Sequence, residues 1–169
     1  YDRLMFVTDA AMNISPDLNA KAAIIRNTVK LANALYIDMP KVGVVCAKEK
    51  VDEKMPATLD AQSLVEMNRS GEIDGCIVGK TFALDNAVSE EAAHHKGIKD
   101  PIAGKCDILL MTDSKAVNVI YKTISYFSKS KIAGIILGAS KPIVLTSRAD
   151  SEETKMYSIA LAVLYSSKF

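Results

Sequence analysis

Short runs of consecutive apolar residues alternate with longer stretches in which apolar residues recur every three or four positions. The first pattern marks buried strands and the second amphipathic helices. Residues 4–7 (Leu-Met-Phe-Val) form the first run, which ends at Thr8-Asp9. Ser15-Pro16 then reads as a helix start, with Ser15 as N-cap and Pro16 at the first helical position. Leu18, Ala22, Ile25, Val29, Ala32 and Tyr36 follow as one stripe that packs on a sheet. Further strands are expected at 42–46, 76–78, 107–111, 132–137 and 142–145, with helices at 59–67, 89–96 and 117–127 between them. Gly97 suits the C′ position of the helix before it. The last helix begins near Asp150, and Asp150 with Glu153 has the spacing of a capping box. Met156, Ile159, Ala160, Val163 and Leu164 are read as its packing face.

Strands separated by helices imply right-handed βαβ units. The expected fold is therefore α/β, three-layer αβα, with a mainly parallel sheet of about five strands. One link departs from this. Only residues 138–142 join the fifth run to the sixth, too few for a parallel crossover. The sixth run must pair antiparallel to the fifth or leave the sheet.

Charge removes several functions. Lys and Arg number 21 against 20 Asp and Glu, a net charge of +1, so no field of one sign favours nucleic acid. No apolar run approaches the length of a membrane span. Three cysteines at 46, 76 and 106 sit in or beside strand-like runs and read as buried free thiols of a cytoplasmic protein. The chain lacks an initiator Met and enters a core strand at once, so residues upstream are expected to be missing.

In open parallel sheets, ligands bind beyond the carboxyl ends of the strands. Polar residues gather there: Thr8-Asp9, Lys48-Glu49, Gly79-Lys80-Thr81, Thr112-Asp113 and Gly138-Ala139-Ser140. For each alone, the plainer reading is a cap on the next helix. Gly79-Lys80-Thr81 is not a nucleoside-triphosphate loop, because Asp74 stands where that motif needs Gly, but Lys80 is kept as a phosphate contact. His94 and His95 are neighbours on a helix and diverge, so no metal site is expected. The segment 145–153 is the most informative. A strand ends, Ser147 and Arg148 follow, and a helix begins, so a hydroxyl, a planar guanidinium and free N–H groups converge as they would on an anion.

Several strings together resemble the second domain of phosphate acetyl/butyryltransferases. They are Val7 to Ile14 (Val-Thr-Asp-Ala-Ala-Met-Asn-Ile), Met55-Pro56-Ala57-Thr58, Leu84-Asp85-Asn86-Ala87, and Asp100-Pro101-Ile102-Ala103-Gly104. Asp113, Asn118, Tyr121 and Lys122, and then Leu137-Gly138 to Arg148, complete the series in order. The wording around Asp9 and Pro56 leans toward the butyryl branch.

The resemblance implies an isocitrate/isopropylmalate dehydrogenase-like fold and the second domain of a two-domain enzyme. Residues 1–148 would be that domain, and 149–169 a C-terminal helix packed on the absent N-terminal domain. It implies exchange of an acyl group between coenzyme A and inorganic phosphate, with butyryl-CoA preferred to acetyl-CoA. The alternatives are phosphate acetyltransferase activity and a non-catalytic coenzyme A or acyl-phosphate binding protein. Coenzyme A enters as a substrate, no prosthetic group is implied, and a homo-oligomer is expected. The implied catalytic residues are Ser147, Arg148 and Asp150. The implied substrate-binding residues are Asp9, Lys80, Asp85, Asp113, Asn118 and Lys122. Relatives in the acetyl branch carry an Asp seven residues after the Ser. Here that position is Thr154, which leaves Asp150 as the nearest carboxylate, either base or helix cap, with Asp113 second.

Overall fold

The computed structural model of the chain describes residues 3–128 and 130–168, so the opening Tyr1-Asp2 of the sequence reading lies outside the described residues. Four strands build the main sheet: β1 (Phe6–Thr8), β2 (Lys41–Val45), β3 (Ile77–Phe82) and β4 (Ile108–Met111). Their order is β1-β4-β2-β3 and every pair is parallel. Helices α1 (Leu18–Ala34) and α2 (Pro56–Ser70) bury one face, with Ala22, Ile25 and Leu64 packed on Val42, Val44, Ile108 and Leu110. The other face meets α3 (Leu84–Val88), α4 (Glu90–His95) and α5 (Ser114–Phe127), where Ala87, Ala93, Ile102 and Val117 pack on Phe82, Leu109 and Met111. Successive β4 side chains thus point to opposite layers, as a strand buried on both faces requires.

Local chemistry explains the helix ends, and some differ from expectation. Asp17, not Ser15, caps α1 by accepting the Ala20 N–H at 2.8 Å. Tyr36 falls past the end of α1 at φ 63 and is exposed, so it leaves the predicted stripe. Pro56 opens α2 three residues before the apolar pattern begins. Ser89 caps α4 through the Ala92 N–H, and Gly97 takes φ 65 beyond it, as read. Ser151 caps α6 (Glu152–Ser166) through the Thr154 N–H, which overturns the reading of Asp150 as its cap. The short helix α3 carries too little periodicity to be read from the sequence.

The predicted run at 76–78 extends to Phe82, so Gly79-Lys80-Thr81 lies inside β3 and not beyond its carboxyl end. Gly79 serves packing: a Cβ there would sit 2.6 Å from Ile102 Cδ1. Among the described residues the main sheet has four strands, not about five. Strands β5 (Ile135–Ile136) and β6 (Ile143–Val144) pair antiparallel as a separate hairpin, much shorter than the apolar runs that contain them. The six residues between them, 137–142, are too few for a parallel crossover and suffice for the antiparallel return.

Helix α6 lies against α1 and this hairpin. It packs through Ser158, Leu161, Ala162 and Tyr165, and Ser158 Oγ accepts the Gly134 N–H at 2.9 Å. The predicted face is turned outward, with Met156 66% and Val163 64% exposed. The helix is apolar on more than one side, and its inner face is marked by a hydroxyl that a hydrophobic pattern skips. Among the described residues no helix is long and apolar enough to cross a membrane.

Candidate active site

The turn before α6 is tied to α5 by the side chains of two consecutive residues. Tyr121 Oη lies 2.6 Å from both oxygens of Asp150. Lys122 Nζ lies 3.4 Å from Ser147 Oγ. Neighbouring helical residues diverge by about 100°, so the phenol and the ammonium grip the turn at separate points. Within the turn, the Ser147 N–H donates to Asp150 Oδ2 at 2.7 Å and the Asp150 N–H donates to Ser147 O at 3.0 Å. Partial burial pushes the Tyr121 phenol up to about 12, and the carboxylate it faces adds to that. Arg148 is exposed, and its guanidinium makes no hydrogen bond or ion pair among the described residues.

The other sequence candidates are distributed around this turn and away from it. Asp113 caps α5 through the Ala116 N–H at 2.9 Å. Asn118 is exposed on α5 one turn before Lys122. Asp9, at the end of β1, holds its own loop by accepting the N–H groups of Ala11, Met12 and Asn13. Burial alone would raise the Asp9 carboxyl, but these bonds together hold it below the ordinary value. The Ser114 N–H donates to Ile14 O, so the Asp9 loop and the start of α5 are in contact. Thr154 is in the first turn of α6, where its Oγ1 accepts from Ser151 Oγ.

Asp85 and Lys80 are not brought to the turn. Asp85 pairs with Lys96 at 2.9 Å, and Lys96 also pairs with Glu49 at 3.2 Å. Asn86 Nδ2 donates to Glu49 Oε1 at 2.6 Å, while the buried Asn86 Oδ1 has no partner. The Lys96 ammonium holds both carboxyls below their ordinary values, and they in turn raise it. Lys80 is exposed on β3, an edge strand, where its backbone N–H donates to Asp100. Glu49 stood out only as a polar residue at a strand end, and Asn86 only as part of a matched string. Tyr121 stood in a matched motif, but nothing local distinguished it from a packing residue.

The cysteines 46, 76 and 106 are buried free thiols, raised by burial to about 11, 11 and 12. Among the described residues, no three of His, Cys, Asp and Glu group so as to hold a metal ion. The arrangement at the turn offers a hydroxyl, an ammonium and an unengaged guanidinium, which together suit an anionic ligand with a developing negative charge beside it.

Residues 1–163 match the family described as Phosphate acetyl/butaryl transferase. The phosphate butyryltransferase of Clostridium acetobutylicum is 54% identical over 164 residues, 97% of this chain and 54% of that protein. The phosphate acetyltransferase of Thermotoga maritima is 51% identical over 165 residues, 98% of this chain and 56% of that protein. The chain spans about half the length of the curated relatives it matches. Among solved structures, a branched-chain phosphotransacylase from Enterococcus faecalis superposes with a TM-score of 0.86 at 34% identity, over 94% of this chain and 57% of that one.

Proposed function

The chain belongs to the phosphate acetyl/butyryltransferase family, and on that premise we propose that the whole protein exchanges an acyl group between coenzyme A and inorganic phosphate, with butyryl-CoA preferred to acetyl-CoA. The observation that carries this is the Ser147 turn, where Lys122 Nζ meets the serine hydroxyl at 3.4 Å and Arg148 stands unengaged beside it. In the direction of acyl phosphate formation, a phosphate oxygen bonds to the thioester carbon. The carbonyl oxygen then carries negative charge, the C–S bond breaks and the thiolate leaves. Ser147 Oγ–H and the Lys122 ammonium are donors for that oxyanion. The Arg148 fork matches phosphate. Asn118, one turn before Lys122, extends the polar face of α5 along the substrate. Asp113 fixes the start of that helix, and Asp9 fixes the loop beside it.

The chain is the second domain, 1–148, of a two-domain protein with an isocitrate/isopropylmalate dehydrogenase-like fold, together with its C-terminal helix, 149–169. The outward apolar face of α6, with Met156, Ile159 and Val163, supports packing on the first domain. Exposed Val119, Tyr126 and Phe127 on α5 support a homo-oligomer. Three free thiols support a cytoplasmic location.

Thr154 favours a second reading, a protein of the same fold that binds coenzyme A or acyl phosphate without turnover. Thiol release from butyryl-CoA and acetyl-CoA with phosphate, measured on the full-length protein, separates the possibilities. A higher kcat/KM for butyryl-CoA is the expected result. A higher value for acetyl-CoA reverses the branch, and binding without thiol release supports the second reading.

A further inference from the structure

The Ser147 turn contains one carboxylate, and its surroundings bear on what it can do. Asp150 Oδ2 already accepts the Ser147 N–H, and the Tyr121 hydroxyl sits at 2.6 Å from each carboxylate oxygen. These two donors leave lone pairs on Asp150 but fix its orientation, so swinging the carboxylate toward a thiol would break their bonds. That movement would release the N–H of the residue whose hydroxyl the reaction uses. The helix that supplies Tyr121 also supplies Lys122, so one rigid element fixes both the backbone of Ser147 and the charge beside its Oγ. Tyr121 is itself braced: the Ser125 hydroxyl donates to the Tyr121 carbonyl at 2.8 Å.

We propose that Tyr121 and Asp150 are a positioning pair for Ser147, in which the carboxylate clamps the serine turn and is not the base of the reaction. The hydrogen bonds that define the turn use the backbones of 147 and 150 and the side chain of 150, so the clamp holds its shape without engaging the Arg148 side chain. The kinetic consequence rests on the acyl-transfer reading above; the structural one does not. The phenol remains a donor throughout the neutral range, because partial burial beside an anion keeps it protonated.

The test compares Tyr121→Phe, Asp150→Asn and Asp150→Ala in the full-length protein by two readouts, acyl-transfer kinetics and hydrogen exchange of the Ser147 amide. Asn keeps an oxygen for the Ser147 N–H and a polar partner for the phenol, but it cannot act as a base. The expected result is a kcat lowered about tenfold in Tyr121→Phe, with KM for phosphate unchanged. Asp150→Ala should lose at least as much, while Asp150→Asn loses clearly less than Asp150→Ala and keeps the shape of the wild-type pH profile. Exchange at Ser147 should quicken in Tyr121→Phe and Asp150→Ala and not in Asp150→Asn. The double variant Tyr121→Phe/Asp150→Ala should be no worse than Asp150→Ala alone, since both act through one contact. If Asp150→Asn falls as far as Asp150→Ala and loses the acidic limb of its pH profile, the carboxylate is the base and the proposal is overturned. Unchanged kcat and exchange in Tyr121→Phe overturn it as well. Should the wild-type protein release no thiol, the acyl-transfer reading fails by itself and the exchange measurements still decide the clamp.

Discussion

Two polar clusters in this molecule contain similar groups and end in different electrostatic states. Around Lys96, one ammonium faces two carboxylates, Asp85 and Glu49, and an amide closes on one of them. One negative charge is in excess there, but every charged group has a partner of opposite sign. Around Ser147, the carboxylate of Asp150 is held by neutral donors, while Lys122 meets the Ser147 hydroxyl and the face of the Tyr121 ring, and among the described residues neither it nor Arg148 pairs with a carboxylate. Positive charge is left over there, and an anionic ligand is what would complete it. The difference teaches that charged residues gathered near strand ends are open to a ligand where the protein leaves them without an opposite partner, as at Lys122 and Arg148, and not where each is already paired, as around Lys96.

The comparison is broken most directly by removing groups from each cluster in turn. The largest effect belongs to Ser147→Ala in the full-length protein, with turnover down by about 10²–10³ and the thermal midpoint nearly unchanged. Arg148→Lys should follow, raising KM for phosphate, because a point charge does not replace a bidentate fork. Wild-type kinetics in both would place the reaction elsewhere. In the other cluster, Asn86→Ala should act on stability alone, costing roughly 1–3 kcal/mol in urea denaturation and leaving KM for phosphate as it was. A change in that KM would mean the Lys96 cluster belongs to the site after all.

The smallest effect is also the one that sets the clusters at opposite ends of the pH scale. The folded Tyr121 phenol titrates near 12 against an ordinary 10.0, so its contribution is whole below pH 10.0 and is lost as pH rises toward 12. Asp85 and Glu49 lie below their ordinary 3.8 and 4.5. Their contribution is present above those values and fades as pH falls through the lowered ones. Denaturation midpoints followed across pH should therefore show an alkaline decline that Tyr121→Phe removes and an acid decline that it leaves intact. An alkaline decline that survives Tyr121→Phe would detach the phenol from the stability of the turn.

Much of this was legible along the chain. Runs such as 108–111, four consecutive apolar residues closed by Thr112-Asp113, read as buried strands from their shortness and their polar ends. The short link after Leu137 excluded a parallel crossover and left an antiparallel return or an exit from the sheet; β5 and β6 pair antiparallel, in a sheet of their own. The importance of the segment 145–153 could be read from a strand end, a hydroxyl, an arginine and a helix start in succession. Local order of this kind depends on neighbours in sequence, which is why it could be read there.

What the sequence could not decide was which of several adequate groups takes each role. Asp17 and Ser15 are both good caps, and so are Asp150 and Ser151; the chain path outside each helix selected Asp17 and Ser151. Helix α6 has apolar residues on two sides, and only the position of α1 and the β5–β6 hairpin determined that Ser158 and Ala162 go inward while Met156 and Val163 go out. Lys80 reads as a strand-end phosphate contact until the contact of Gly79 with Ile102 and Phe82 reveals that β3 continues past it. Asp150 meets Tyr121 across 29 residues of chain, and Lys96 pairs with both Asp85 and Glu49, which come from different parts of the chain. Sequence fixes which side chains are available and how each short stretch begins and ends. The partner that turns a carboxylate into a clamp, a counter-charge or a ligand contact comes from elsewhere in the chain, and only the packing of helices on the sheet brings it within hydrogen-bonding distance.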